Sequence, residues 1–412
     1  MVKRKYYLNK LKKLKDTEDV KIITGVRRSG KTHLLKEFIK ELRKEGFEKN
    51  IIYISFESNV YNHIKDNLTL NEIIYEKTKD LTGKIYLFFD EIQRVSNWEE
   101  SINGYRVDLD CDIYITGSNG QMLNGINSTI LSGRYVRIHM HPFSFRELLD
   151  YYRYDKNIKI GPTEELTILN EFLNYGGFPG MLQYDEPDEK IDYLSDVYAS
   201  IVLKDILHIQ KIGNVDLFRR LMEFMINNIG NKFSSNSISK YLKSQNKNNK
   251  ENNNIVSSNT IKDYTGYAND AYIIYRVKRE DLKGKKILKT LEKYYVVDQG
   301  FYYLFNDETK RNMGFLIENI VYLELLKRNY NITIGKLYNL EVDFVCKRPG
   351  KTFYVQVSES INDPKTRERE FKSLEKIKDN YVKYVITTDQ INYSSNGIIH
   401  LNILDFLKKE EL

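Results

Sequence analysis

The sequence predicts an α/β protein in four parts. A parallel-sheet domain spans residues 1–140 and a helical connector 141–230. A winged-helix-like unit spans 231–305 and a second α/β unit 306–412. Three observations carry this. Short, consecutively apolar runs alternate with helical patterns through residue 140, as strands covered on both faces do. A glycine-rich turn joins the first such run to an amphipathic helix. After residue 141 the apolar spacing becomes purely helical, and strand-like runs return only beyond residue 270.

Val20–Thr24, Ile51–Phe56, Ile85–Phe89, Ile113–Thr116 and Tyr135–His139 read as the strands of the first sheet. Thr32–Arg43 reads as a helix with Leu34, Leu35, Phe38, Ile39 and Leu42 on one face. Phe143–Tyr152, Glu164–Tyr175, Lys190–Gln210 and Val215–Asn228 follow as helices, interrupted by the loop Tyr-Gly176-Gly177-Phe-Pro179-Gly180. Ser234 and Ser235 precede a short helix at Ile238–Leu242, and Ser258 is expected to cap another that runs to about Ala268. Between them Gln245–Asn254 is low in complexity and reads as a flexible loop. Tyr272–Arg276 and Ile287–Lys289 are expected to pair as a β-wing. The last unit is expected to hold the helix Phe315–Arg328 and the charged helix Thr366–Lys378. Its strands are expected at Ile332–Lys336, Glu341–Lys347, Thr352–Val357 and Tyr384–Thr388.

Composition narrows the class of protein. The 412 residues are 41% hydrophobic and 29% charged, which is ordinary globular usage and excludes global disorder. Two cysteines cannot build a disulfide framework or a cysteine-based zinc site. No run of 18 apolar residues occurs, and the N-terminus lacks an apolar signal core, so a soluble cytoplasmic protein without membrane contact is expected. The net charge of +7 is uneven: residues 1–50 carry +9, residues 231–290 carry +8, and the rest is acidic. Two basic islands in an acidic body suggest anionic partners.

The first island contains Gly25-Val26-Arg27-Arg28-Ser29-Gly30-Lys31-Thr32, a complete G-x-x-x-x-G-K-[ST] match after a strand and before a helix. The glycines let backbone N–H groups turn toward phosphate oxygens, and the helix N-terminus adds a favourable dipole. Lys31 is expected to reach the β- and γ-phosphates of ATP, and the Thr32 hydroxyl to ligate Mg²⁺. Arg27 and Arg28 add positive potential. A second apolar strand ends in Asp90-Glu91 at the expected carboxyl edge of the sheet. Asp90 is expected to hold Mg²⁺ and Glu91 to act as general base. A third strand ends in Thr116-Gly-Ser118-Asn119. Asn119 is the first candidate there for contact with the γ-phosphate or attacking water, ahead of Thr116 and Ser118, and a plain turn after a strand is the competing reading. Arg134 is either an arginine finger acting from a neighbouring subunit of a homo-oligomer or an ordinary surface arginine.

The strings ITGVRRSGKT, LFFDEIQ, ITGSN, LSGRY and PFSFREL resemble the prokaryotic AAA-type P-loop ATPases, whose C-terminal domain of unknown function resembles restriction-endonuclease folds. YGGFPG, IVLKDIL, GKKILKTLEKYYVVDQG, IENIVYLELLKR and EVDFV extend the likeness over almost the whole chain. The resemblance implies a P-loop NTPase domain, ATP binding with hydrolysis, and a winged-helix region.

In the second island a winged helix would lay Ser258–Asp263 in a DNA major groove, with Lys278, Arg279, Lys283, Lys285 and Lys286 on or near the wing. The competing reading is a winged helix that only packs against protein. In the last unit Glu318 and Asp343 match the carboxylates of restriction-like nucleases. Gln356 stands where a second metal carboxylate belongs and Ser358 where a lysine belongs. Little or no nuclease activity is therefore expected.

Overall fold

The computed structural model describes residues 3–118, 120, 131, 133–207, 209, 210, 212–246, 257–284, 286–306 and 312–412. The chain divides into two compact units. One is Met1–Pro142 with Asp270–Tyr272, and the other is Phe143–Asn269 with Ile273–Leu412.

The first unit is built on five strands: β1 (Val20–Thr24), β2 (Ile51–Ser55), β3 (Ile85–Asp90), β4 (Cys111–Gly117) and β5 (Tyr135–His139). They form one parallel sheet in the order β2-β3-β4-β1-β5. β1 and β3 are buried along their whole length, which explains their continuous apolar character. Alternate side chains feed two cores, one on each face. Ile22, Ile54, Leu87, Phe89, Ile113 and Ile115 meet Leu70, Ile74, Trp98 and Ile102. Ile23, Tyr86, Phe88 and Tyr114 meet Leu34, Leu35, Phe38 and Leu42 of the helix Lys31–Lys44, with Tyr7, Leu8 and Leu11 of the N-terminal helix Lys5–Leu14. That N-terminal helix was not expected from sequence; its lysine-rich outer face hides a three-residue apolar stripe.

One charged pair crosses this apolar sheet. Lys21 on β1 and Asp112 on β4 have fully buried side chains 2.5 Å apart. Lys21 also donates to the Thr17 carbonyl at 2.8 Å. Asp112 accepts from the Tyr114 hydroxyl at 2.7 Å and the Asp16 amide at 2.8 Å.

The second unit begins with helices. The Ser144–Glu147 capping box opens Phe145–Asp150, which continues into a π-helical turn at Tyr151–Asp155. Pro162–Tyr175 follows, and Pro187–Ser200 runs on into a second π-helical turn, Ile201–Leu207. Gly176 has φ +76, and a Cβ there would lie 1.6 Å from Asp298 Oδ1, so the loop after Tyr175 requires glycine. Asp298 receives the amides of Gly177 at 2.8 Å and Gly300 at 2.9 Å. Its burial pushes the carboxyl up to about 6 against those two hydrogen bonds.

Eight strands complete this unit. They are β6 (Lys232–Phe233), β7 (Ile274–Asp281), β8 (Lys286–Val296), β9 (Asn331–Leu337), β10 (Leu340–Arg348), β11 (Lys351–Val357), β12 (Val382–Thr387) and β13 (Ile398–Asn402). They form a single mixed sheet in the order β13-β12-β11-β10-β9-β7-β8-β6. The strands expected as a wing are longer than their sequence signal and do not stand apart. β7 pairs antiparallel with β8 on one side and parallel with β9 on the other. Residues 231–305 therefore share one sheet with the C-terminal strands. The short helix expected at Ile238–Leu242 spans Ser235–Asn246, and Ser234 Oγ accepts the Ser237 amide. The next helix is capped by Ser257, whose Oγ accepts the Thr260 amide at 3.0 Å, rather than by Ser258. No helix among the described residues is long and apolar enough to cross a membrane.

Candidate functional site

Placing β4 between β1 and β3 determines the site. The glycine-rich turn leaves the carboxyl end of β1, the acidic pair leaves β3, and the end of β4 lies between them. Gly25 has φ +144, and a Cβ on it would lie 2.1 Å from the Met140 carbonyl oxygen. Arg28 (φ 67) and Gly30 (φ 99) are also left-handed, so the turn folds back tightly before the helix Lys31–Lys44. The buried Lys31 ammonium donates to the carbonyls of Gly25 at 2.9 Å and Val26 at 3.1 Å. Arg27 Nη1 lies 3.3 Å from Glu57 Oε1, which also takes Arg94 at 2.8 Å.

Thr32 Oγ1 donates to both Asp90 oxygens, at 3.0 and 2.9 Å. Thr116 donates to Asp90 Oδ1 at 2.6 Å and accepts the Glu91 amide at 3.0 Å, so one hydroxyl joins the two acidic residues. Tyr53 and Ser55 of β2 donate to Asp90 Oδ2 at 3.2 and 3.4 Å. Burial pushes the Asp90 carboxyl above its usual range. The Thr116 hydrogen bond opposes this and the neighbouring Glu91 charge adds to it. Glu91 itself is left-handed (φ 59), and its Oε2 accepts from Gln93 Nε2 at 2.5 Å and Ser118 Oγ at 3.2 Å.

These residues fit a magnesium nucleotide. Ser29 Oγ is buried in the phosphate turn with no hydrogen-bond partner among the described residues, a polar atom in want of one. Thr32 and Asp90 together offer the hard oxygen donors that Mg²⁺ takes.

Residues 17–149 match an AAA domain family. Residues 166–311 and 313–406 match two domains of unknown function, DUF8612 and DUF4143. An uncharacterized protein of Haemophilus influenzae is 36% identical over 409 residues, which are 99% of this chain and 98% of that one. The uncharacterized protein MJ1544 of Methanocaldococcus jannaschii is 32% identical over 397 residues, 94% of this chain and 85% of that one. This chain belongs to their family. Its first unit is a P-loop domain of the AAA type. Among solved structures, the Walker-type ATPase PABY2304 of Pyrococcus abyssi covers 74% of this chain and 96% of its own, with 15% identity and a TM-score of 0.49. The Aeropyrum pernix ORC1 protein in complex with DNA covers 75% and 93%, with 11% identity and a TM-score of 0.35.

The remaining candidates divide. Thr116 and Ser118 lie at the acidic pair, while Asn119 is outside the described residues. Arg134 is not brought to the site of its own chain. Its carbonyl accepts the Val20 amide at the amino end of β1, and its guanidinium donates to Asn103 at 2.9 Å. The five residues of β1 separate that edge from the phosphate turn by about 16 Å.

Several site residues were missed by sequence reasoning. Arg4 is buried and donates to the carbonyls of His141 at 3.0 Å and Ser29 at 3.3 Å, bracing the phosphate turn from behind. Arg137 Nε donates to Thr24 Oγ1 at 3.1 Å, one residue before the turn, and Thr24 also meets His139 Nδ1 at 3.2 Å. Desolvation, with the charges of Arg137 and Lys31 beside it, pushes the His139 imidazole down to about 3. An arginine four residues from the N-terminus has no motif around it, so only tertiary placement reveals it.

In the second unit Glu318, Asp343 and Gln356 do come together. The Gln356 side chain accepts the Asp343 amide at 3.3 Å. Lys293 of β8 lies among the carboxylates, 3.0 Å from Glu318, 3.2 Å from Glu341 and 3.5 Å from Asp343. Burial alone would lower its pKa, but the three carboxylates outweigh that and hold it raised. Ser358 faces its own loop and donates to the Ser360 carbonyl at 3.2 Å. Among the described residues no group of three His, Cys, Asp or Glu side chains is arranged to hold a metal ion.

The second basic island is less free than its charge suggests. Arg276 is bonded to Glu292 at 2.5 and 2.6 Å, and Arg279 is buried 3.4 Å from Glu341. Lys278, Lys283 and Lys286 are exposed, and Lys285 lies outside the described residues.

Proposed function

We propose that the chain binds ATP·Mg²⁺ at residues 25–32 with Asp90 and hydrolyses it, acting as an ATP-driven switch. The observation that carries this reading is the join at Thr116: one hydroxyl ties Asp90, bonded to Thr32, to the backbone of Glu91. A strand end that bonds the Asp90 carboxylate and the Glu91 backbone can keep the nucleotide side and the water side of the reaction in register.

On this reading the amides of the phosphate turn and the Lys31 ammonium bind the β- and γ-phosphates. Thr32 and Asp90 would hold Mg²⁺, which supplies charge neutralisation at the phosphates when bound. Glu91 accepts a proton from the attacking water. Ser118 and Gln93 hold its carboxylate in place. Arg134 of a neighbouring copy would add a finger in trans, since it cannot reach its own site.

The test is ATP turnover by the full chain, with mass measured in the presence and absence of ATP. Lys31→Ala should lose nucleotide binding, and Glu91→Gln should bind ATP yet turn it over about 10²-fold more slowly. Wild-type turnover in Glu91→Gln would remove the general-base role.

A second reading adds duplex DNA, supported by the exposed Lys278, Lys283 and Lys286. With Arg276 and Arg279 held by carboxylates, that contact would be weak and backbone-directed. Three phosphate contacts give a log–log salt slope of about −3. Absence of duplex binding at low salt would favour a protein partner instead.

A further inference from the structure

We propose that Gln93 is a catalytic residue that holds the attacking water together with Glu91. The inference rests on the reading of Glu91 as general base and adds a second residue to that role.

Gln93 lies in the tight turn Ile92–Arg94 that follows β3. The left-handed backbone at Glu91 is strained for a residue with a Cβ. This turn brings the side chains of residues 91 and 93 to the same place, 2.5 Å apart. The orientation of the Gln93 amide follows from chemistry. A carboxylate only accepts, so the atom facing Glu91 Oε2 is the N–H₂ group and the carbonyl Oε1 points away. That Oε1 is buried and has no hydrogen-bond partner among the described residues. A buried acceptor left without a donor is unfavourable, so the position favours a molecule that brings an O–H. Among the described residues both hydrogen bonds to the Glu91 carboxylate, from Gln93 and Ser118, engage Oε2, which leaves Oε1 for a proton.

A water between these two oxygens has one hydrogen for each. Its oxygen forms the new bond to the γ-phosphorus as the bond from that phosphorus to the β,γ-bridging oxygen breaks. ADP leaves with the electron pair. The proton released by the water goes to Glu91 Oε1 and then to solvent. Gln93 Oε1 accepts the other O–H throughout, and its Nε2 keeps the carboxylate turned toward the water.

The experiment uses the full-length chain with Mg²⁺. It measures kcat and KM for ATP, and Kd for a fluorescent ATP analogue, in four proteins: wild type, Gln93→Leu, Glu91→Gln and the double variant. Gln93→Leu keeps the size of the side chain and removes both polar atoms. Its kcat should fall about 10- to 10²-fold while KM and the analogue Kd stay unchanged. The double variant should be no slower than Glu91→Gln, because both residues act on one water. Gln93→Glu cannot donate to Glu91 and should be slow as well, which provides a decisive result even if Gln93→Leu folds poorly. Wild-type turnover in Gln93→Leu or Gln93→Glu, or losses that multiply in the double variant, would overturn the role of Gln93 alone. A wild-type chain that binds the analogue but never hydrolyses ATP would overturn the general-base reading and this one together.

Discussion

Replacing Lys21 with methionine tests whether the sheet that carries the phosphate turn is held by a buried ion pair. The Lys21 and Asp112 side chains are both fully buried and 2.5 Å apart. Methionine fills similar volume but removes the cation, so the Asp112 carboxylate remains inside the sheet. Breaking a buried pair in this way costs about 3–5 kcal/mol. Asp112 keeps two donors, Tyr114 and Asp16, which places the expected loss at the lower end, about 3 kcal/mol. For a unit of this size that is a fall in Tm of about 6–12 °C. Urea unfolding followed by far-UV circular dichroism, with a thermal scan beside it, measures both. The double variant Lys21→Met with Asp112→Leu should recover most of the loss, because a hydrophobic pair can replace a buried salt bridge at little cost. A single variant within about 0.5 kcal/mol of wild type, the usual range for a surface change, would refute the reasoning. So would a double variant no more stable than the single one.

Gly25→Ala should abolish ATP binding without unfolding the second unit, since the added Cβ would lie 2.1 Å from the Met140 carbonyl oxygen; equilibrium binding of a fluorescent nucleotide checks it. Arg4→Met should weaken nucleotide binding by loosening the Ser29 carbonyl, with kcat changing less than Kd. Asp298 gives a pH dependence opposite in sign to an ordinary salt-bridged carboxylate. Its folded pKa, about 6, lies above the ordinary 3.8 of an aspartate, so the folded state binds the proton more tightly. Its contribution is fully present below the unfolded value and is lost as pH rises through 6, about 3 kcal/mol in all. Subtracting the stability–pH curve of Asp298→Asn from that of wild type isolates this slope, and a flat difference would contradict it. Lys293→Met should destabilise the second unit by about 3–5 kcal/mol, because it strands Glu318 and Asp343 in the interior; differential scanning calorimetry reads the loss.

The first sheet was legible because its strands are short, apolar and separated by amphipathic helices, and because the phosphate turn has a complete spacing pattern. Thr32, Asp90 and Glu91 come together for that reason. Strand order was not legible, and much followed from it. Thr116 ranked behind Asn119 as a candidate only because nothing in the local sequence says that β4 lies between β1 and β3. Lys21 and Asp112 were visible as single charges in apolar strands, but their neutralisation depends on β1 and β4 being adjacent. In sequence the hairpin β7–β8 reads as a wing because its local pattern of two strands and a Lys/Gly turn is the same whether or not a third strand pairs beside it. Gln93 carries no signal in the sequence, since its meaning lies in which way its amide points.

The same point governs the basic islands. Charge per segment counts side chains, whereas an anionic partner meets only those that the fold leaves unneutralised. In the first island Lys21 is committed to Asp112, Arg4 to two backbone carbonyls, and Lys31 to the phosphate turn. In the second, Arg276 and Arg279 are held by Glu292 and Glu341. Just beyond it Lys293 is surrounded by three carboxylates, and burial with the nearby Glu318 charge pushes the Asp343 carboxyl above its usual range despite that lysine. The cation of this cluster is thus already committed to the carboxylates around it. A nucleic acid competing for these cations would have to break ion pairs and hydrogen bonds they already make, so duplex binding, if it is measured, should be carried by the exposed lysines and vanish with salt. Retention of duplex binding after Lys278, Lys283 and Lys286 are all changed to Ala would show that the anion meets a different face of the chain.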